Sequence, residues 1–214
     1  VPSNKILSSA ETWKKITLPM LGKHNVLNCL ASISIAIEMG ISENSIRNTL
    51  NNFKGIKRRF ESKGVTNDGI KIIDDYGHHP VEITYALSSG RILASKNKLI
   101  VIFQPHRYSR LKDLFDEFCQ CFNNADYVFI TDVYAAGESE IKNFNKETLA
   151  TGISDYGHNN VSIINNENEI CDKILSIAKP NDVVIFLGAG SITKWSDTIV
   201  HQLNNSGLKN EKIF

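Results

Sequence analysis

From residue 70 onward the chain alternates regularly between short apolar runs and longer mixed stretches. The runs 70–74, 99–103, 127–131, 161–164 and 183–187 are rich in β-branched and aromatic residues and have the length of strands. Between and after them lie segments with helical spacing of apolar positions, 80–95, 111–122, 146–153, 168–178 and 192–203. Continuous apolar strands alternating with amphipathic helices predict βαβ units. The expected fold class is therefore α/β, a Rossmann-like, mostly parallel sheet with helices on both faces. Pro80 suits the first turn of its helix, where its missing N–H is not needed.

The pattern before residue 70 is different. A helix is predicted over 25–39, with Val26, Leu30, Ile33 and Ile37 on one face and Gly40 as its stop. Ser42 is a candidate N-cap for a second helix carrying Ile46, Leu50 and Phe53. An extended, polar-alternating stretch over 60–65 then leads to a hairpin-like turn, Asn67-Asp68-Gly69. Two helices and a ribbon do not make a domain, so the expected division lies near 70. Residues 1–70 would be an incomplete α-rich piece and 71–214 a whole domain. The chain opens on Val1 rather than Met, which suggests a segment of something longer, and the polar tail after Gly207 is expected to fray.

Parallel strands share a direction, so the segments that follow them gather on one sheet edge. These segments are Asp74-Asp75-Tyr76-Gly77-His78-His79-Pro80, Gln104 to Arg110, Thr131-Asp132-Val133-Tyr134 reaching Gly137-Glu138, and Gly188-Ala189-Gly190-Ser191. The second is the richest in chemistry. Arg107 and Arg110, three apart at a helix start, suit a carboxylate or phosphate, because guanidinium forks and free backbone N–H groups converge there. A solvated charged loop is the alternative.

Other residues stay open on spacing alone. Gly188-Ala189-Gly190 has two glycines of a dinucleotide fingerprint but not the third, which favours tight strand-to-helix packing. His78 and His79 are adjacent and lack a third ligand, so a hydrogen-bonding or helix-entry role is favoured over a metal. Asn25 and Asn28 share a helix face and could meet a purine edge, although asparagine near a helix start more often caps it. Arg58 and Arg59 read as surface charge. Cys29, Cys119, Cys121 and Cys171 fit no zinc spacing and are expected as buried free thiols in a reducing compartment.

Composition narrows the function classes. The chain has 214 residues, 42% hydrophobic and 22% charged, with net charge +1. That balance gives no electrostatic case for nucleic-acid or anionic-membrane binding. No apolar run reaches the ~20 residues of a membrane span.

The ordered set Gly22-Lys23-His24-Asn25-Val26-Leu27-Asn28, Arg58-Arg59-Phe60, 74–80, 103–110 and Asp132-Val133-Tyr134-Ala135-Ala136-Gly137-Glu138 resembles the Mur ligase family over residues ~18 to ~195. The Gln104 to Arg110 stretch resembles the members that add alanine. The resemblance implies an ATP-dependent, Mg²⁺-assisted ligase that joins L-alanine to UDP-N-acetylmuramate through an acyl phosphate, in peptidoglycan precursor synthesis in the bacterial cytoplasm. It implies ATP-side roles for His24, Asn25, Asn28, Arg59 and Asp75. It implies alanine-side roles for Tyr76, His78, Arg107 and Arg110. No metal ligand and no catalytic group is assigned on the chain itself. The family's Gly-x-x-Gly-Lys-Thr-Thr phosphate loop does not occur in the sequence. The expectation is thus the last part of a central ATP-binding domain followed by a C-terminal domain, inactive alone. A sibling ligase taking another amino acid or peptide, or a non-catalytic anion-binding module, remains open.

Overall fold

In the computed structural model, which describes residues 12–210, the apolar runs become strands. Val1 and the end of the tail beyond Asn210 lie outside the described residues. The strands are β1 (Glu61–Val65), β2 (Lys71–Asp75), β3 (Leu99–Phe103), β4 (Tyr127–Ile130), β5 (Val161–Ile163) and β6 (Val183–Leu187). The helices are α1 (Lys23–Glu38), α2 (Glu43–Asn51), α3 (Pro80–Ala94), α4 (Tyr108–Asp113), α5 (Phe115–Gln120), α6 (Lys146–Asp155), α7 (Glu167–Ile177) and α8 (Ile192–Asn210).

The chain divides into two units, Val1–Lys54 and Gly55–Phe214. The first contains α1 and α2. Ser42 caps α2 as its sequence suggests, its hydroxyl accepting from Ser45 N at 3.3 Å. The division falls earlier than the expected boundary near 70, and the reason is β1. The polar ribbon is an edge strand that pairs antiparallel with β2 across the turn containing Gly69, so it belongs to the sheet.

The second unit is built on one six-stranded sheet in the order β1-β2-β6-β3-β4-β5, with every pair except β1·β2 parallel. Both faces are apolar because side chains alternate along each strand. In β3, Leu99, Val101 and Phe103 pack with α3, α5 and α6, while Ile100 and Ile102 face α7 and α8. The helix expected over 111–122 is instead α4 and α5, bent at Leu114 (φ −123°, ψ 29°). The bend lets Leu111, Leu114, Phe115 and Phe118 all reach one core.

Parallel pairing carries the ends of β2, β6, β3 and β4 to one edge, and the ladder continues past them. Gly188 N donates to Asp75 O, Gln104 N to Leu187 O and Thr131 N to Phe103 O. Among the described residues no helix is long and apolar enough to cross a membrane.

Candidate functional site

At the β2 end, two adjacent aspartates have different surroundings. Asp74 points into the sheet and is fully buried. It accepts from Thr193 Oγ1 at 2.8 Å and lies 3.6 Å from Arg58 Nε. Burial raises its pKa, against the lowering effects of the Thr193 hydrogen bond and the Arg58 charge. Asp75 is half-buried; its Oδ1 accepts from Gly77 N and its Oδ2 from Phe60 N, both at 2.7 Å. Burial raises its pKa too, opposed by those two amides. Each oxygen keeps lone-pair capacity for a further donor.

The β3 and β4 ends meet through the loop that follows each. Arg107 Nη1 pairs with Glu138 Oε1 at 2.6 Å. The same carboxylate accepts from Ser109 N at 2.9 Å and Ser109 Oγ at 2.7 Å. These bonds to Ser109, with the Arg107 charge, hold the Glu138 pKa below its ordinary value. The Arg107 side chain is still 49% exposed, so most of its donors remain open to a ligand. Arg110 folds back one turn, its Nη1 donating to His106 O and lying 3.3 Å from His106 Nδ1.

A row of rings crosses these strand ends. Tyr76 meets His78 edge-on at 5.2 Å, His78 meets His106 at 5.9 Å, and His106 stacks on Tyr134 at 5.4 Å. His78 Nδ1 is also 3.0 Å from Tyr76 O. Because a guanidinium only donates, a bond from Arg110 makes His106 Nδ1 the acceptor and puts the ring hydrogen on Nε2. Burial, then the Arg110, His78 and Arg107 charges, lower the His106 pKa. Between that lowered value and 6.5 the unfolded chain binds the proton more readily. This contribution to stability is therefore complete above pH 6.5 and is lost as pH falls through the folded value. NMR titration of the His106 ring is expected to give a midpoint below 6.5, and a midpoint above it would contradict this geometry.

His79 does not join the row. It caps α3, its Nδ1 accepting from Val81 N at 3.3 Å, with Glu82 reaching back to complete a capping box. The helix-entry reading of this histidine holds. The glycine segment packs tightly, as its missing third glycine suggests. A Cβ on Gly188 would sit 2.8 Å from Gln104 O, and one on Gly190 would collide with the Gln104 side chain and Tyr134. Buried Gln104 accepts from Ile192 N at 3.1 Å and donates to Ser191 Oγ at 3.3 Å, fastening β3 to the start of α8.

His24, Asn25 and Asn28 occupy the first turns of α1 in the first unit. Neither asparagine is the cap: Gly22 is, and buried Asn25 donates from Nδ2 to Leu21 O at 2.7 Å, fastening the entry to the helix. Asn28 is exposed. Arg59, in the second unit, is exposed; its backbone N donates to Ile56 O at 3.1 Å, and its side chain makes no hydrogen bond or ion pair among the described residues. Two pairings escape a sequence reading. Glu138 reaches Arg107 from another loop, and Arg58, read as surface charge, lies against Asp74, Tyr76 and Gly188. No local signal separates Arg58 from Arg59.

The family described as "Mur ligase, glutamate ligase domain" matches residues 58–190. The chain is 50% identical over 194 residues to the UDP-N-acetylmuramate–L-alanine ligase of Rhodospirillum rubrum, covering 91% of this chain and 40% of that protein. It is 51% identical over 186 residues to the ligase of the same name from Gluconobacter oxydans, covering 87% and 39%. A crystal structure of UDP-N-acetylmuramate-alanine ligase from Thermotoga maritima superposes with a TM-score of 0.73 at 30% identity, covering 88% of this chain and 40% of that one. A murein peptide ligase from Psychrobacter arcticus gives 0.65 at 25% identity, covering 89% and 39%. The chain thus spans about 40% of the length of these curated relatives.

Proposed function

Given that the chain belongs to the Mur ligase family, we propose that it serves the amino-acid side of an ATP-dependent ligase joining L-alanine to UDP-N-acetylmuramate. The setting is peptidoglycan precursor synthesis in the bacterial cytoplasm, and residues 12–54 are the described part of the last segment of the central ATP-binding domain. The observation that carries this reading is the convergence of Arg107, Arg110, His78 and Tyr76 on the ends of β2 and β3. In it, Arg107 and Arg110 hold the alanine carboxylate, and the ring row bounds the space beside it. Glu138 and His106 keep the two guanidinium groups from swinging into solvent.

The alanine amine must be neutral to attack the activated muramoyl carboxyl. Fixing its carboxylate converts that encounter into an oriented one. Bound ATP supplies the phosphoryl group that activates the carboxyl. Asp75 can accept from a ribose hydroxyl with its remaining lone pairs, Asn28 presents an uncommitted amide, and Arg59 an uncommitted cation. His24 and Asn25 stand beside Asn28 on α1. Among the described residues no three His, Cys, Asp or Glu side chains are placed to hold a metal ion.

In the intact ligase, Arg107→Ala and Arg110→Ala should each raise the KM for alanine roughly 10- to 100-fold, the worth of a charge-assisted contact, with a much smaller change for ATP. Steady-state kinetics with each substrate varied in turn makes the test. Unchanged alanine kinetics would move the carboxylate site elsewhere. Side-by-side assay with glycine, serine and a preformed tripeptide separates this ligase from a sibling.

A further inference from the structure

We propose that Arg58 is a positioning residue that fixes the direction in which Arg59 is presented. The inference rests on the ATP-side role proposed above for Arg59 for its functional meaning, but not for its geometry. The two adjacent arginines have opposite surroundings. Arg58 Nη2 donates to Gly188 O at 2.6 Å, and its guanidinium lies 4.6 Å over the Tyr76 ring. Its Nε is 3.6 Å from the buried Asp74 carboxylate. Arg59 is exposed and uncommitted.

The main chain around them is bolted to the strand ends. Arg58 N donates to Glu61 Oε2 at 2.8 Å, Tyr76 N to Arg58 O at 2.7 Å and Phe60 N to Asp75 Oδ2 at 2.7 Å. Arg58 and Phe60 both adopt left-handed backbone, φ 57° and 50°, on either side of Arg59. Side chains other than glycine occupy that region only where the surroundings over-determine it. The Arg58 side chain supplies much of that constraint, gripping the sheet end from one side while the main chain grips it from the other. Lys57 in the same turn is exposed too, but Arg59 alone stands between the two left-handed residues, its side chain open to an anion on a backbone fastened on both sides.

The grip needs a planar fork. A lysine keeps the charge beside Asp74 but cannot stack on Tyr76 and reach Gly188 O together. Asp74 Oδ1 and Arg58 Nε are both buried without a hydrogen-bond partner, so the pair is held by the turn around it rather than by an ideal salt bridge.

Two measurements decide the proposal. In the 214-residue chain, Arg58→Lys and Arg58→Gln should each speed amide exchange at Phe60 and Tyr76 roughly tenfold, with β3 amides unchanged. Unaltered exchange at both amides would overturn it. Arg58→Lys keeps a cation beside Asp74 and decides the matter if Arg58→Gln does not fold. In the intact ligase, Arg58→Lys should lower kcat/KM for ATP towards that of Arg59→Ala, and the double variant should be no worse than Arg59→Ala alone. Losses that multiply would show Arg58 acting independently and would overturn the proposal. Faster exchange combined with unchanged ATP kinetics in Arg59→Ala would refute the ATP-side role of Arg59 and leave the positioning intact.

Discussion

Phe103→Ala is expected to lower the unfolding free energy by about 3–5 kcal/mol. Phe103 is the last residue of β3, fully buried, with its ring 5.8 Å from Phe118 and 5.2 Å from Phe122. It ties the central strand to the helical layer of α5 just before the chain enters the Gln104 to Arg110 segment. The cost has two parts, the lost transfer free energy of the ring and a cavity that neighbouring strands cannot close. Denaturant unfolding of wild type and variant measures it. A loss under about 1 kcal/mol would mean that the Phe118 and Phe122 rings collapse into the space. The variant should also loosen His106 and Arg110, because their loop starts from the same strand end.

Gly188→Ala is the second large effect, at about 2–4 kcal/mol. Gly188 has φ 149°, a conformation that side chains rarely adopt, and an added methyl would press on Gln104 O and Ile192. A backbone oxygen cannot step aside as a flexible side chain can. Gly137 offers an internal comparison, since it has φ 86° but open space around its missing Cβ. Gly137→Ala carries backbone strain alone and should cost about 1 kcal/mol, the lower end for such a residue. If Gly188→Ala proved no worse than Gly137→Ala in the same melts, crowding against the Gln104 loop would not be the reason for glycine there. Function should suffer as well, because Gly188 O is the acceptor that holds Arg58.

Where both faces of a strand are buried, the sequence is explicit about its limits. β3 and β6 begin and end at the residues that the apolar runs predict, because any polar position inside them would have to be buried. The edge strand β1 is different. With one side open to solvent, Glu61 to Val65 reads as a ragged ribbon, and its membership in the sheet follows only from pairing with β2. The bend at Leu114 has no breaker residue to announce it and arises from tertiary packing. Of the strand-end cluster, the gathering of four segments on one edge was legible from strand direction alone. What was not legible is how charges pair across loops: Glu138 with Arg107, and Asp74 with Arg58, are contacts between segments far apart in sequence. The two halves of Arg58-Arg59 differ only in what their surroundings offer.

The hairpin that attaches β1 to the sheet has a practical consequence. β2 carries the buried side chains Ile72, Ile73 and Asp74, and its outer row of backbone N–H and C=O groups is satisfied by β1 alone on that side. Cutting the chain at residue 70 would strip that row bare and leave an apolar strand at the sheet margin, a template for pairing with other chains. β1 itself is a poor template. It is short, bulged between Ser62 and Gly64, and bears Lys63 paired with Glu61 and Asp197. The few residues between Gly55 and Val65 therefore keep the sheet from extending itself intermolecularly, and any excised form of this unit that is meant to stay monomeric has to begin no later than Gly55.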